Sequence, residues 1–289
     1  MENQTNITET IIQTINTIFE NLFSSIDNNL YTVLDDVTFV NSDILHDSYF
    51  EKIFGTSPAN GILLIANSLL LGFIVYFAIK YLLSYITFSQ IENPLQFFLK
   101  LFVFGISMNF SFFILQQVLD INSNISLAIR NIGESLFNKN ICFSELIADI
   151  NTSIYVDTSS INVFSIDGLI KGTLTVSLLN LVFSYSFRYV MIKIFVLLSP
   201  FAFLCLTINS TSWFFKAWFR NLFSLLFIQN IVAFVLLILF SMDYSSSNLF
   251  VKFVYVGAIY VLIKANSFVR EFIGGVSTTV QQTVQNFIK

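Results

Sequence analysis

The sequence predicts an all-α, polytopic membrane protein with about five transmembrane helices, its N-terminus outside and its C-terminus inside, together with amphipathic helices. Of its 289 residues, 55% are hydrophobic and only 11% are charged, a composition outside the range of ordinary soluble domains. Apolar runs long enough to cross a bilayer recur along the chain. The orientation follows from Lys and Arg, because in a five-span arrangement the inside loops and tail hold Lys80, Lys100, Lys216, Arg220, Lys264, Arg270 and Lys289.

Residues 1–60 are predicted to form an acidic, amphipathic segment outside the membrane. Their Ile and Leu residues recur at helical spacing, and Glu and Asp mark the other faces. We expect this segment to lie against the protein's own membrane domain or against a neighbour in an oligomer. Binding to a membrane surface is a weaker alternative, because helices at that surface usually carry Lys and Arg on the polar face.

Residues 61–119 are predicted to be a transmembrane hairpin. Its first span runs from Ile62 to Ile79, and its second begins at about Phe97 or Leu101 and ends at Leu119. Residues 120–167 are acid-rich, with apolar residues at helical spacing followed by a polar stretch. We interpret residues 120–167 as a small extracytoplasmic subdomain between the second and third spans.

The region 168–264 begins with an apolar run from Leu169 to Ile208. As one helix this run is roughly 60 Å long, about twice the thickness of the hydrocarbon core. It is therefore either two spans or one long third helix that projects from the membrane. No turn signal separates Phe187 from Met191, so we favour one helix, with a kink predicted at Ser199 and Pro200.

The rest of this region is predicted to hold an aromatic-basic interfacial helix and two further spans. Aromatic and basic residues together are typical of the headgroup level, and here they are Trp213, Lys216, Trp218 and Arg220. The fourth span runs from Leu222 to Phe240 and the fifth from Leu249 to Ile263. Residues 265–289 are predicted to be an amphipathic cytoplasmic tail that contains Gly274 and Gly275.

Four polar residues within the spans are candidates for pore lining or subunit contact, namely Arg188, Lys193, Gln229 and Asn230. A charge in the middle of a span costs at least about 2.5 kcal/mol on insertion scales, so it usually faces a bundle interior or a water-filled path. The alternative for Arg188 and Lys193 is that the long helix carries one of them into the headgroups. Gln229 and Asn230 are of the type that more often joins helices than binds substrate.

The sequence predicts no enzymatic activity, no metal site and no cofactor. It lacks a GxxxxGK phosphate loop, an HExxH pair and a CxxC pair, and it contains a single His. The predicted spans also lack Asp and Glu apart from residues near their ends. This argues against an ordinary ion-coupled transporter.

The run LLSPFAFLCLTINSTSWFFKAWFRNLFSLLFIQNIVAFVLLIL, from Leu197 to Leu239, resembles the most recognisable segment of the TrbL-like family. These proteins are polytopic channel subunits of conjugative type IV secretion systems. The resemblance rests on a helix ending in Ser-Pro and small residues, an aromatic-basic helix, a span carrying Gln and a glycine-bearing tail. The corresponding residues are Ser199, Pro200, Ala202, Trp213, Phe214, Lys216, Trp218, Gln229 and residues 272–276.

The resemblance implies an inner-membrane subunit that forms homo-oligomers and works with other secretion subunits, including ATPases. It also implies transient passage of single-stranded DNA with attached relaxase. A net charge of −4 fits a conduit or scaffold better than a protein that itself recognises DNA. Two alternatives remain open from the residues, namely a stand-alone small-molecule transporter and a structural membrane subunit of a phage-like envelope machine.

Overall fold

The computed structural model describes residues 10–15, 17–18, 31, 33–55, 61–87, 93–154, 166–242 and 249–273. Every regular element in these ranges is a helix, and none is a strand. The predicted all-α class is therefore confirmed. Four helices are long and apolar enough to cross a membrane, which agrees with a multi-pass membrane protein; the count of five spans and the orientation stay predictions.

Eight α-helices and three short 3-10 helices follow one another along the described chain. The 3-10 helices are Ser42–Leu45, Cys205–Thr207 and Asn209–Thr211. The α-helices are α1 (Ser48–Phe54), α2 (Gly61–Thr87), α3 (Pro94–Asn109), α4 (Ser111–Phe137), α5 (Phe143–Ile154), α6 (Ile166–Leu204), α7 (Ser212–Phe240) and α8 (Leu249–Ile273). The helices of membrane-spanning length are α2, α4, α6 and α7, whereas α3 and an apolar part of α8 are shorter.

The long helix α6 is the centre of the packing. All three clusters of buried hydrophobic side chains contain residues of α6, represented by Leu181, Ile192 and Leu204. Around it lie α3, α4, α7 and α8, each of which packs against α6. Buried hydrophobic residues occur along α6 from Ile170 to Leu204. The predicted run forms one continuous helix to Leu204, with no turn within it.

The second predicted span differs from the structure. A break at Phe110 divides the chain into α3 and α4, and α4 continues past Leu119 to Phe137. The amide of Asn109 donates to the carbonyl of Gly105 and to Asn67 of α2. A side chain that bonds to nearby backbone carbonyls in this way favours a helix end. This hydrogen bonding is a physical reason for the break, and it cannot be read from the hydropathy of the sequence.

The aromatic-basic residues and the residues of the predicted fourth span belong to the single helix α7. The short turn before α7 is closed by the hydroxyl of Thr211, which donates to the carbonyl of Cys205 at 2.8 Å. The helix then runs to Phe240 without interruption, since no Gly or Pro occurs between Ser212 and Phe240.

Residues 33–55, which we call the strap, cross the surface of the bundle before α2 begins. Their apolar side chains are buried against α4, α6 and α7; these are Leu34, Val40, Leu45, Phe50 and Phe54. Asn41 caps a 3-10 helix, Asp47 caps α1, and Gly55 ends α1 with a positive φ of 84°. The strap thus lies against the protein's own helices, while most of residues 1–30 lies outside the described residues.

Gly133 allows α4 to approach α7 and the chain that follows α4. A Cβ atom at this position would lie 2.6 Å from Cγ1 of Ile141 and 2.7 Å from Cδ1 of Leu237. We expect Gly133→Ala to lower the free energy of unfolding by about 1–3 kcal/mol, because overpacking outweighs the gain in helix propensity. Gly72→Ala on α2, where the new methyl group meets nothing within 4 Å, is the matched control for thermal unfolding in detergent. Equal stability of the two variants would contradict this prediction.

Asp35 links the strap to the start of α5. Its carboxylate accepts the backbone N–H groups of Phe143 and Ser144 at 2.8 and 3.1 Å, and the hydroxyl of Ser144 at 3.0 Å. Burial raises the pKa of Asp35 above its ordinary value of 3.8, while these donors and the charge of Arg130 oppose the shift. Asp35 therefore acts as an N-terminal cap supplied from another part of the chain.

We expect Asp35→Ala to lower the free energy of unfolding by about 1 kcal/mol, because two N–H groups of α5 lose their acceptor. The folded protein holds the Asp35 proton more tightly than the unfolded chain does. This contribution to stability is therefore complete below pH 3.8 and is lost as the pH rises through the folded pKa. Unfolding of the wild type and of Asp35→Asn across this window tests the sign, because Asn cannot ionise. Identical pH dependence in both proteins would contradict it.

Candidate functional site: a buried arginine network

Arg188 lies within α6, and its side chain is fully buried. Its guanidinium donates three hydrogen bonds to neutral oxygens. Nε donates to the carbonyl of Leu225 at 2.8 Å, Nη1 to the carbonyl of Thr38 at 3.0 Å, and Nη2 to Oε1 of Gln229 at 3.3 Å. One side chain therefore joins α6 to α7 and to the strap.

Gln229 is the second centre of this site. Its Oε1 also accepts from the backbone N–H of Val40 at 3.1 Å and from Nδ2 of Asn122 at 3.4 Å, and its Nε2 donates to Oγ of Ser126 at 2.8 Å. Asn122 in turn accepts from Nδ2 of Asn230 at 2.9 Å. We call the whole set the arginine network; its members are Thr38, Val40, Asn122, Ser126, Arg188, Leu225, Gln229 and Asn230.

Helical spacing brings these groups together. Asn122 and Ser126 are four residues apart on α4, and Leu225 and Gln229 are four residues apart on α7. Residues at this spacing lie one above the other on the same face of a helix. Asn122 and Ser126 therefore meet Gln229 where α4 and α7 pack, and Arg188 reaches Gln229 and the carbonyl of Leu225 from α6.

The charge of Arg188 has no carboxylate partner in the described part of the chain, where the ion pairs are His46 with Glu51 and Lys139 with Asp149. An ion removed from water costs several kcal/mol, and hydrogen bonds to neutral oxygens offset only part of this cost. Oε1 of Gln229 serves three donors, more than any other oxygen of the network. The arginine network therefore depends strongly on this one atom.

Two further polar atoms of the network have no hydrogen-bond partner among the described residues. Oγ1 of Thr38 and Oδ1 of Asn230 are both buried and unpaired. A buried polar group without a partner costs about 1–3 kcal/mol. Hydrogen bonds within the described residues therefore leave these two oxygens of the network unsatisfied.

Of the four polar candidates from the sequence, the structure brings Arg188, Gln229 and Asn230 together and leaves Lys193 apart. The ammonium of Lys193 lies 5.5 Å from the ring centroid of Phe50 and 5.4 Å from that of Tyr189. Five residues of helix separate it from Arg188 by about 140° around the axis. A role in pore lining or subunit contact stays a prediction for all four residues.

The kink residues and the aromatic-basic residues occupy different environments. Ser199 and Pro200 are buried within α6, and Oγ of Ser199 has no hydrogen-bond partner. Trp218 is buried in the bundle, where its indole N–H donates to the carbonyl of Phe195 at 2.9 Å. Burial between helices satisfies the one donor of the indole, and the headgroup position of Trp218 stays a prediction.

The other predicted residues are either exposed or outside the described residues. Trp213, Lys216 and Arg220 are exposed on the first turns of α7, which is compatible with the predicted headgroup position without testing it. Gly274 and Gly275 of the tail lie outside the described residues, so their role stays a prediction.

Sequence reasoning missed five members of the arginine network, namely Thr38, Val40, Asn122, Ser126 and Leu225; Leu225 contributes only its backbone carbonyl. The pair Asn122 and Ser126 carried a detectable signal, because two polar residues four apart lie on the buried face of α4. Thr38 and Val40 carried none, since the strap contributes a backbone carbonyl and a backbone N–H. Any residue type offers these backbone groups, apart from the N–H that Pro lacks.

The hydrogen bonds of the site join helices to one another. An Arg side chain stays protonated under ordinary conditions and does not exchange a proton with a substrate. Within the described residues, no group of three or more His, Cys, Asp or Glu side chains is placed to hold a metal ion. The arrangement can therefore hold three helices and the strap at fixed separations.

Comparison of the chain with protein-family models, curated proteins and solved structures finds no match.

Proposed function

We propose that this chain is a membrane channel or scaffold subunit of a conjugative type IV secretion system. In this role it helps single-stranded DNA with attached relaxase to cross the bacterial inner membrane. It works as part of a homo-oligomer, in the lipid bilayer, with separate ATPases that supply the energy. The four helices of membrane-spanning length agree with the multi-pass part of this proposal.

The observation that carries the proposal is that the segment resembling the TrbL-like family folds as one unit. The end of α6, the short turn and the start of α7 pack on one another through Phe203 and Trp218, whose ring centroids are 5.9 Å apart. Trp218 is also bonded to the backbone of α6, and the turn is closed by Thr211. Two parts of the segment that carries the resemblance, the end of α6 and the start of α7, thus contact each other.

The arginine network supports a conduit or scaffold over an ion-coupled carrier. A carrier needs a group within the membrane that can bind and release its ion. Among the four helices of membrane-spanning length, α2, α7 and α6 from Gly168 onward carry no Asp or Glu, whereas α4 carries Glu134 and Asp120, the latter accepting the N–H of Ser42. The buried cation of Arg188 is bonded to the protein's own oxygens, an arrangement suited to holding helices together.

Deleting the gene in the bacterium that encodes it tests the proposal. We expect transfer of the mobile element to recipients to fall to the background of a strain that lacks a secretion ATPase. Expression of the wild-type chain should restore transfer. Undiminished transfer, while other channel subunits remain essential, would contradict the proposal. Movement of a small solute across liposomes by the purified protein alone would favour the transporter in its place.

A further inference from the structure

The helix α4 has two apolar faces, of which only one packs on the part of the chain that the structure describes. Its inner face is buried in the bundle through Leu115, Leu119 and Ile129. Its outer face carries Ile121, Ile125, Ile132 and Leu136, with 48 to 69% of each side chain exposed. We call these four residues the isoleucine stripe. A helix that needed only to pack on its own bundle would not require this second face.

The isoleucine stripe has the spacing of a helix–helix seam. Its members follow one another at intervals of four, seven and four residues, which places all of them within about 60° of the helix circumference. The small residue Ala128 lies between the two halves. The stripe therefore forms a narrow apolar line roughly 22 Å long, the form that packs between the side chains of a facing helix.

Lipid is a poor cover for this face. Beside the stripe lies a row of exposed polar residues, Asn124, Asn131 and Ser135, and unpaired amides are costly in hydrocarbon. The mean hydropathy of α4 is 1.2, against 2.2 to 2.6 for the other three helices of spanning length. A narrow apolar line with a polar flank is typical of a protein contact.

A second copy of this chain fits the face because the face is uncharged. The charged residues of this part of α4, namely Asp120, Arg130 and Glu134, lie elsewhere on the helix, and the first two contact the chain itself. Asp120 accepts the N–H of Ser42 in the strap, and Arg130 donates to the carbonyl of Ile141. Two identical stripes can therefore meet without like charges opposing each other, and the amides of Asn124 and Asn131 can bond across the seam.

We propose that copies of this chain assemble through the isoleucine stripe, with their α4 helices packed in parallel around a common symmetry axis. Copies in one membrane share their orientation, so a symmetry axis along the membrane normal brings each stripe residue near its counterpart. The proposal deepens the proposed function, because it names the surface through which the homo-oligomer forms.

Cysteine crosslinking in native membranes tests this arrangement. In a Cys142→Ser and Cys205→Ser background, Ile125→Cys and Ile132→Cys are oxidised and analysed on non-reducing gels. Leu127→Cys is the matched control, because Leu127 is 46% exposed but lies about 140° or more around the helix from both positions. We expect disulfide-linked dimers for the two stripe positions and none for the control.

The combined variant Ile125→Asn with Ile132→Asn gives a second readout. We expect it to lower the mass of the complex extracted in mild detergent, whereas Leu127→Asn leaves that mass unchanged. Absence of stripe crosslinks, equal crosslinking at Leu127, or an oligomer that survives the combined variant would overturn the inference. If DNA transfer requires the protein but the stripe does not crosslink, this inference alone fails. If the stripe crosslinks but transfer does not require the protein, the proposed function alone fails.

Discussion

Replacing Arg188 with alanine is expected to lower the free energy of unfolding by about 2–5 kcal/mol, the range for removing a large buried side chain. The change leaves a cavity and takes three donors from the arginine network. The carbonyl of Thr38 then loses the bond that holds the strap to α6. Because that carbonyl is buried in the bundle, water does not easily replace the arginine.

Thermal unfolding of the detergent-solubilised protein measures this effect, and Lys193→Ala is its control. Lys193 is on the same helix and is also cationic, but it is only half-buried and contacts aromatic rings. Its removal is expected to cost about 1 kcal/mol or less. Equal losses for the two variants would mean that the arginine network does not hold the bundle together.

The sequence allowed part of this site to be predicted. A charge in a long apolar run is visible from composition, and so are Gln and Asn in a span, which is why Arg188, Gln229 and Asn230 could be singled out. The members of the network that lie in the strap could not be predicted, because they are far from these residues in the sequence. Thr38 is 150 positions from Arg188, and Val40 is 189 positions from Gln229. Only the folded chain brings these groups together.

The helices could likewise be predicted only where local sequence properties determine them. Apolar runs predicted α2, α6 and the span within α7, because length and hydropathy are local properties. The break at Phe110 depends partly on Asn67 of another helix, and the burial of Trp218 depends on α6. An aromatic residue next to basic ones suits both a headgroup region and a bundle interior, so the pattern alone cannot separate the two.

The strap connects the arginine network to the rest of the architecture. It bonds to Arg188 and Gln229 through its backbone, and to α4 through Asp120. Displacing the strap would leave the guanidinium of Arg188 with fewer acceptors in a buried position, a costly state. The folding of residues 33–55 and the assembly of α4, α6 and α7 should therefore be cooperative.

Gln229→Leu is expected to destabilise the protein by about 3 kcal/mol or more. Three donors lose the oxygen that accepts from all of them, and each buried unpaired donor costs about 1–3 kcal/mol. The three donors are Nη2 of Arg188, the N–H of Val40 and Nδ2 of Asn122. Leucine is close to glutamine in size, so the loss reports hydrogen bonding more than packing. The midpoint of thermal unfolding measures it, and an unchanged midpoint would contradict the prediction.

Gln229→Glu separates the role of the charge from the role of the oxygen. A carboxylate keeps acceptors for the same donors, pairs with the guanidinium through stronger charge-assisted bonds, and can accept from Ser126 if that hydroxyl reverses its role. We expect this variant to equal or exceed the wild type in stability. In an Arg188→Met background the same change should instead destabilise, because the buried carboxylate then has no cation. The double-mutant cycle isolates this coupling, and a coupling near zero would mean that Arg188 and residue 229 act independently.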